Sequence, residues 1–254
     1  VTAPSTEVGV FLAGAGGAIG RRLVPQLIEA GYRVHGTTRS AERAREIAAL
    51  GAAPVIVDVL DRPAVTQALK DAAPAIVVHQ LTDLPQVSGG PLSEDMLRSN
   101  ARLREEGTAH LVEAALLAGA RRFVAQSVAW LYAPGPEPHR ESDPLDVHAG
   151  GRIAISLGGI RALERLTLNS PPIEGTVLRY GQLYGPGTWN RGPNGSAPVH
   201  VDAAAHAALR AVESRATGVF NIAEEAGFVS AERARRELGW TAEFRLGAPR
   251  EPHG

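Results

Sequence analysis

The chain has 254 residues, with 26 basic and 27 acidic side chains and a formal net charge of −1. That length suits one α/β domain with a small appendage and a sizeable core, and the even charge excludes a basic face for nucleic acid or an anionic membrane. The absence of cysteine excludes disulfides and thiolate metal sites; no apolar stretch approaches a membrane span and Val1–Glu7 lacks the pattern of a signal peptide, so a cytoplasmic protein is expected.

In chain order, the apolar run Val8–Ala13 reads as a buried strand that breaks into glycines, Gly14-Ala-Gly-Gly-Ala-Ile-Gly20. A helix is predicted over Ala18–Ala30, with Ile19, Leu23, Leu27 and Ile28 on one face. Gly14, Gly17 and Gly20 stand three residues apart. The first serves a tight turn, the second a close approach of backbone to a pyrophosphate, the third close packing of helix on strand. The helix start then offers free N–H groups and a positive dipole end to phosphate, with Ala18 and Ile19 lining it. A second strand at Tyr32–Thr37 completes the βαβ context, so the turn is read as a dinucleotide site.

Further strands are predicted at Pro54–Val57, Ala75–His79, Arg122–Ser127, Thr176–Tyr180 and Gly218–Ile222. Helices are predicted at Ala41–Leu50, Asp61–Ala72, about Leu92–Ala118, Ile153–Asn169, Asp202–Glu213 and Val229–Leu238. Such alternation implies right-handed βαβ units and a doubly wound parallel sheet covered on both faces. Residues 1–180 are expected to form the dinucleotide-binding domain, and 181–254 a small substrate lobe interleaved with it. Two polar, Pro/Gly-broken segments, Trp130–Gly151 and Gly181–Pro198, follow strands and read as active-site loops. The second is short for its place, which raises the expectation that residues are absent from it.

The end of the second strand bears on the cofactor. About twenty residues after such a glycine turn, NAD-binding chains carry Asp or Glu for the ribose hydroxyls. Here Thr37-Thr-Arg-Ser40 offers no acid before Glu42. Arg39 is placed to hold a 2′-phosphate, with Thr38, Ser40 or Arg43 assisting, so NADP(H) is expected over NAD(H).

Several stretches together resemble the extended short-chain dehydrogenase/reductases, the family of NAD-dependent epimerases and dehydratases with a Rossmann sheet. Besides the glycine turn these are Val57-Asp-Val-Leu60, Val77-Val-His-Gln80, Ser99-Asn100 with Gly107-Thr108, Leu178-Arg-Tyr-Gly-Gln-Leu-Tyr-Gly-Pro-Gly187, Val199-His-Val-Asp202 and Phe220-Asn-Ile222. The resemblance runs from about Val8 to Trp240. It implies that Asp58 and Val59 meet the adenine and that His79 and Gln80 border the nicotinamide ribose. It also implies a homodimer through the two long helices.

The family's catalytic pair is missing. That family uses a Tyr whose pKa is lowered by a Lys four residues on, with a Ser or Thr nearby. The only lysine here is Lys70, in the helix Asp61–Ala72. With Glu164 set at the family's helix Glu, Ile160 stands at the Lys position and Ser156 at the Tyr position. Counting back from Tyr132, Val128 stands at the hydroxyl position and Ser127 is left as a catalytic or a structural hydroxyl. Candidate acids and bases are therefore Ser127, Tyr132, Tyr184 and His148, with Asp83, His139, Glu141 and Asp143 near the expected mouth. Asp202 is read as the cap of the helix that follows it, and Arg179 or Arg191 as holders of a substrate anion, Arg179 more as framework. No metal site is expected.

Three functions remain open. One is an NADP-dependent oxidoreductase acting on a small biosynthetic intermediate with an unusual proton donor. Another is a redox-silent isomerase, cyclase or dehydratase in the same cleft. The third is a non-catalytic NADP(H)-binding sensor or scaffold. The last seventy or so residues form a small lobe, which favours a small apolar or aromatic substrate over a nucleotide sugar.

Overall fold

A computed structural model describes residues 8–84 and 91–247; the segment Val1–Glu7 lies outside them. Seven parallel strands form the central sheet: β1 (Gly9–Ala13), β2 (Arg33–Thr38), β3 (Ala53–Ile56), β4 (Ile76–His79), β5 (Arg122–Val128), β6 (Glu174–Tyr180) and β9 (Gly218–Ile222). Their spatial order is β3-β2-β1-β4-β5-β6-β9. The order reverses between β1 and β4, so a crevice opens above the carboxyl ends of these two strands. A small parallel pair lies apart, β7 (Gln182–Tyr184) with β8 (Pro198–His200), where the sequence suggested only a loop.

The helices are α1 (Gly20–Glu29), α2 (Ala41–Ala49), α3 (Arg62–Ala72), α4 (Glu94–Arg102), α5 (Thr108–Leu117), α6 (Gly151–Leu168) and α7 (Val201–Glu213). Strand alternation explains the two cores. Val10 and Leu12 of β1 face a cluster with Leu23 and Leu27 of α1, Ile47 of α2 and the alanines of α7. Phe11 and Ala13 face Leu69 of α3, Leu111 of α5 and Leu163 of α6 on the other side. Ala203, Ala204, Ala205, Ala207 and Ala208 are all fully buried, small side chains that let α7 lie close to α1 and the sheet.

Four expectations are corrected. The long helix about Leu92–Ala118 is divided by a π-turn, Leu103–Gly107, between α4 and α5. Val229 is not helical: it bridges to His139, and the last helical segment is a second π-turn at Ala234–Leu238. Ile28 is 36 % exposed rather than in the core face: α1 buries Gly20, Leu23, Val24, Gln26 and Leu27, with Ile19 buried just before it. The cap of α7 is His200, whose Nδ1 accepts from the Asp202 N–H at 3.2 Å; Asp202 is a first-turn residue instead. Among the described residues, no helix is long and apolar enough to cross a membrane.

Candidate dinucleotide site

The glycine turn joins β1 to α1 with φ of +98° at Gly14. A Cβ at Gly14 would sit 2.8 Å from the Gln80 backbone, and one at Gly20 only 2.2 Å from the Gly14 carbonyl oxygen. Neither position accepts a larger residue without moving backbone. The Gly14 N–H donates to Thr37 Oγ1 at 3.2 Å, tying the turn to the end of β2. The N–H groups of Ala18, Ile19 and Gly20 make no hydrogen bond within the described residues, as befits a helix start facing an anion. Gly17 and Ala18 remain partly open to solvent above them.

At the end of β2, Thr38 Oγ1 accepts from the Ser40 N–H at 3.1 Å, and Ser40 caps α2. Arg39 is 66 % exposed at its side chain and pairs with Asp83 at 3.3 Å. Asp83 also accepts a short hydrogen bond from Ser99. The stem of Arg43 passes 3.6 Å from where a Gly16 Cβ would stand, so two arginines flank the turn on the side where β2 ends. Asp58 uses one carboxylate oxygen to accept from the Leu60 N–H at 3.0 Å, while Val59 is buried against the Gly107 side of the π-turn.

His79 and Gln80 close β4. His79 is fully buried; its Nδ1 accepts from the Leu81 N–H at 3.2 Å, so its Nε2 carries the proton toward Thr108 Oγ1, also 3.2 Å away. Burial, with the nearby Arg104 charge, pushes its pKa down to about 3. A neutral His79 with both nitrogens engaged is a shaping residue. Gln80 donates to the Tyr180 hydroxyl at 3.4 Å, and its buried Oε1 has no partner among the described residues, an open acceptor next to the turn.

Some candidate acids and bases are brought together, His139 Nδ1 lying 3.3 Å from Asp143 Oδ2, while Ser127, Tyr184 and His148 stand apart from that pair. Ser127 donates to Glu164 at 2.7 Å, and Glu164 receives both Nε and Nη2 of Arg179 at 2.8 and 2.7 Å. Burial opposes the charge on Arg179, but Glu164 and Tyr132 outweigh it and hold its pKa above the usual value. Tyr132 donates to Asn221 at 2.7 Å and stacks on His139 with ring centroids 5.0 Å apart. Burial raises its pKa, with the Arg179 charge pulling the other way. These hydroxyls belong to one buried network that ties β5, β6, β9 and α6. Tyr184 lies elsewhere, donating to Glu224 at 2.6 Å, its pKa raised chiefly by burial. His148 is exposed in the loop before α6, its N–H on Asp146 at 3.2 Å.

Two of the family's three catalytic positions are filled by apolar side chains, and the third by Ser156. Val128 and Ile160 are 5 % and 1 % exposed and pack with Leu131 and Leu157 in one cluster. Ser156 is half-buried one residue from it. The sequence reading missed Arg104, a buried arginine in the π-turn; only its place at four-residue spacing between Asn100 and Thr108 could have marked it.

A family profile described as NAD(P)H-binding matches residues 14–184, from the first glycine of the turn to Tyr184. The chain belongs to this NAD(P)H-binding family. It is 44 % identical over 237 residues, 85 % of this chain and 76 % of the other, to a 3-diazoavenalumate denitrifying reductase of a Streptomyces species. Its fold is that of the extended short-chain dehydrogenase/reductases. A UDP-glucose 4-epimerase of Thermotoga maritima, solved with UDP-glucose, superposes with a TM-score of 0.76 at 19 % identity, covering 94 % of this chain and 95 % of that one. A UDP-glucose 4-epimerase from Stenotrophomonas maltophila with bound NAD gives the same TM-score and coverage at 20 % identity.

Proposed function

We propose that this protein is an NADP(H)-dependent reductase that delivers hydride to a small electrophile whose reduction needs no proton donor. The observation that carries the reading is the packed cluster of Val128, Leu131, Leu157 and Ile160 in a chain whose glycine turn is intact. The dinucleotide cradle is kept, while the Lys and hydroxyl positions of the family's proton relay hold the buried Ile160 and Val128 and the Tyr position holds Ser156. Bound in this cradle, a reduced nicotinamide supplies hydride. The N–H groups of Ala18, Ile19 and Gly20 would hold the pyrophosphate, Asp58 and Val59 the adenine, and Gln80 Oε1 a donor near the nicotinamide ribose.

A carbonyl reduced by hydride becomes an alkoxide and demands a proton. A diazonium carbon does not. When hydride forms the new C–H bond there, the C–N bond breaks, its electron pair leaves with neutral dinitrogen, and charge balances without an acid. The denitrifying reductase at 44 % identity, whose named substrate carries a diazo group, supports this substrate class. The apolar cluster then has a use, because it keeps water from a carbon that water would otherwise attack.

Arg39 and Arg43 support NADP(H) over NAD(H). A charge-assisted pair to a 2′-phosphate is worth about 1.5–3 kcal/mol, roughly ten- to a hundredfold in affinity. Asp83 competes for the Arg39 guanidinium, which sets the expected preference nearer tenfold. The test is calorimetric titration of nucleotide-stripped protein with NADPH and NADH, for the wild type and Arg39→Ala. NADPH is expected to bind about tenfold tighter, the margin shrinking in the variant; equal affinities in the wild type refute the cofactor assignment. Turnover of 4-diazobenzoate with NADPH deuterated at the transferring position is expected to place deuterium on the product ring and release dinitrogen. Product without deuterium refutes hydride delivery.

A further inference from the structure

Among the described residues, Arg104 is a buried cation without an anion. It is 6 % exposed, its Nε has no hydrogen-bond partner, and among the described residues no carboxylate pairs with it. Arg179, buried to the same degree, shows the ordinary arrangement: both oxygens of Glu164 receive its guanidinium. Burial lowers the Arg104 pKa only to about 10, so the side chain stays charged at neutral pH. An uncompensated charge in such a place is costly, and a chain keeps one where a ligand completes it.

Its position says which ligand. Asn100, Arg104 and Thr108 follow one another at four-residue spacing along the run from α4 through the π-turn into α5. Asn100 Oδ1 accepts from the Asp83 N–H at 2.9 Å, and Thr108 Oγ1 meets His79 Nε2 at 3.2 Å. Both neighbours hold the segment that leaves β4, so Arg104 between them faces the same segment, and its charge is felt at His79. That segment adjoins Gln80, whose backbone lies against the glycine turn. The π-turn also packs on α6, the helix that carries Ile160. π-turns of this kind recur at functional sites because the widened turn re-aims a side chain.

We propose that Arg104 anchors a carboxylate of the substrate at the nicotinamide end of the crevice, a role that rests on the reductase reading above. The planar fork of a guanidinium matches a carboxylate in two parallel hydrogen bonds, which fixes the substrate's orientation as well as its charge. With no proton relay in the site, holding the electrophilic carbon in line for hydride is the main task left to side chains.

The probe is benzoate, with benzamide as its neutral counterpart, titrated calorimetrically into protein saturated with NADP⁺. The wild type is expected to bind benzoate at least tenfold tighter than benzamide. Arg104→Met is expected to lose at least tenfold in benzoate affinity, leave benzamide unchanged, and keep NADPH affinity within twofold. Its melting temperature is expected to hold or rise, since the variant removes a buried charge that nothing among the described residues satisfies. Arg104→Lys keeps the charge without the fork and is expected to bind benzoate several-fold more weakly with an unchanged melting temperature. A wild type that does not distinguish the two probes overturns the proposal. So does Arg104→Met binding benzoate like the wild type, or a melting temperature several degrees lower in both variants, which would make Arg104 a structural residue. NADPH affinity is measured separately, so loss of the reductase reading with a surviving benzoate preference is seen as such.

Discussion

His79 offers a sharp physical test, because its protonation differs so much between folded and unfolded chain. In the unfolded chain its pKa is about 6.5. In the folded chain it is about 3, set by complete burial and the Arg104 charge. Between these values the unfolded state binds a proton that the folded state refuses, so stability is full above pH 6.5 and falls as pH drops toward 3. At pH 5 the loss from this residue is ~2 kcal/mol, and below pH 3 it approaches ~5 kcal/mol. His79→Asn retains an acceptor for the Leu81 N–H, loses the contact to Thr108, and cannot titrate. Urea denaturation at pH 7.5 and pH 5.0 measures both proteins. The variant is expected to be weaker at pH 7.5 by about 1 kcal/mol, the value of a hydrogen bond. It is also expected to lose about 2 kcal/mol less than the wild type on acidification. Equal acid sensitivity in the two proteins would refute the assignment of a neutral, closed-in His79.

Other expectations concern the turn and the buried network. Gly20→Ala drives a methyl into the Gly14 carbonyl and is expected to cost about 3 kcal/mol in urea denaturation and to abolish NADPH binding by calorimetry. Tyr132→Phe removes a hydroxyl held by Asn221 and Arg179, and is expected to cost about 1–2 kcal/mol of stability while leaving kcat within a few-fold. A hundredfold fall in kcat would restore Tyr132 as a proton donor.

The sheet was legible because a buried parallel strand is largely apolar and a crossover helix amphipathic; β1 and β4 carry that signal throughout and β5, β6 and β9 in part, whereas β2, Arg33-Val-His-Gly-Thr-Thr38, was legible from its place after the glycine turn and helix. The glycine turn was legible for steric reasons that hold at Gly14 and Gly20 one residue at a time. The π-turn was not, since an extra residue in a helical turn leaves the apolar period of Leu103, Leu111 and Val112 nearly unchanged. Nor could sequence tell a catalytic hydroxyl from a framework one. Ser127 and Tyr132 differ from an active-site pair only in where Glu164, Arg179 and Asn221 arrive from, residues 37, 47 and 89 positions away along the chain. Arg104 was hidden for the same reason: a charged residue in a polar helix reads as solvated until the neighbouring helices cover it.

The ion pair between Arg22 and Asp202, 2.6 Å from Nε to Oδ1, spans 180 positions of sequence. It pins the helix that presents its start to the dinucleotide onto the first turn of α7, and the other Asp202 oxygen accepts from Leu246 N–H at 3.2 Å. β9 is also seated beside β6, so the described residues after 180 are tied to those before it through both the sheet and α1. A polypeptide ending at residue 180 would leave the α7-facing flank of its sheet wet and one end of α1 untethered. Expression of halves, split reporters and lobe grafts between relatives should therefore cut inside surface loops such as the one preceding α6, and not between the cradle and the lobe.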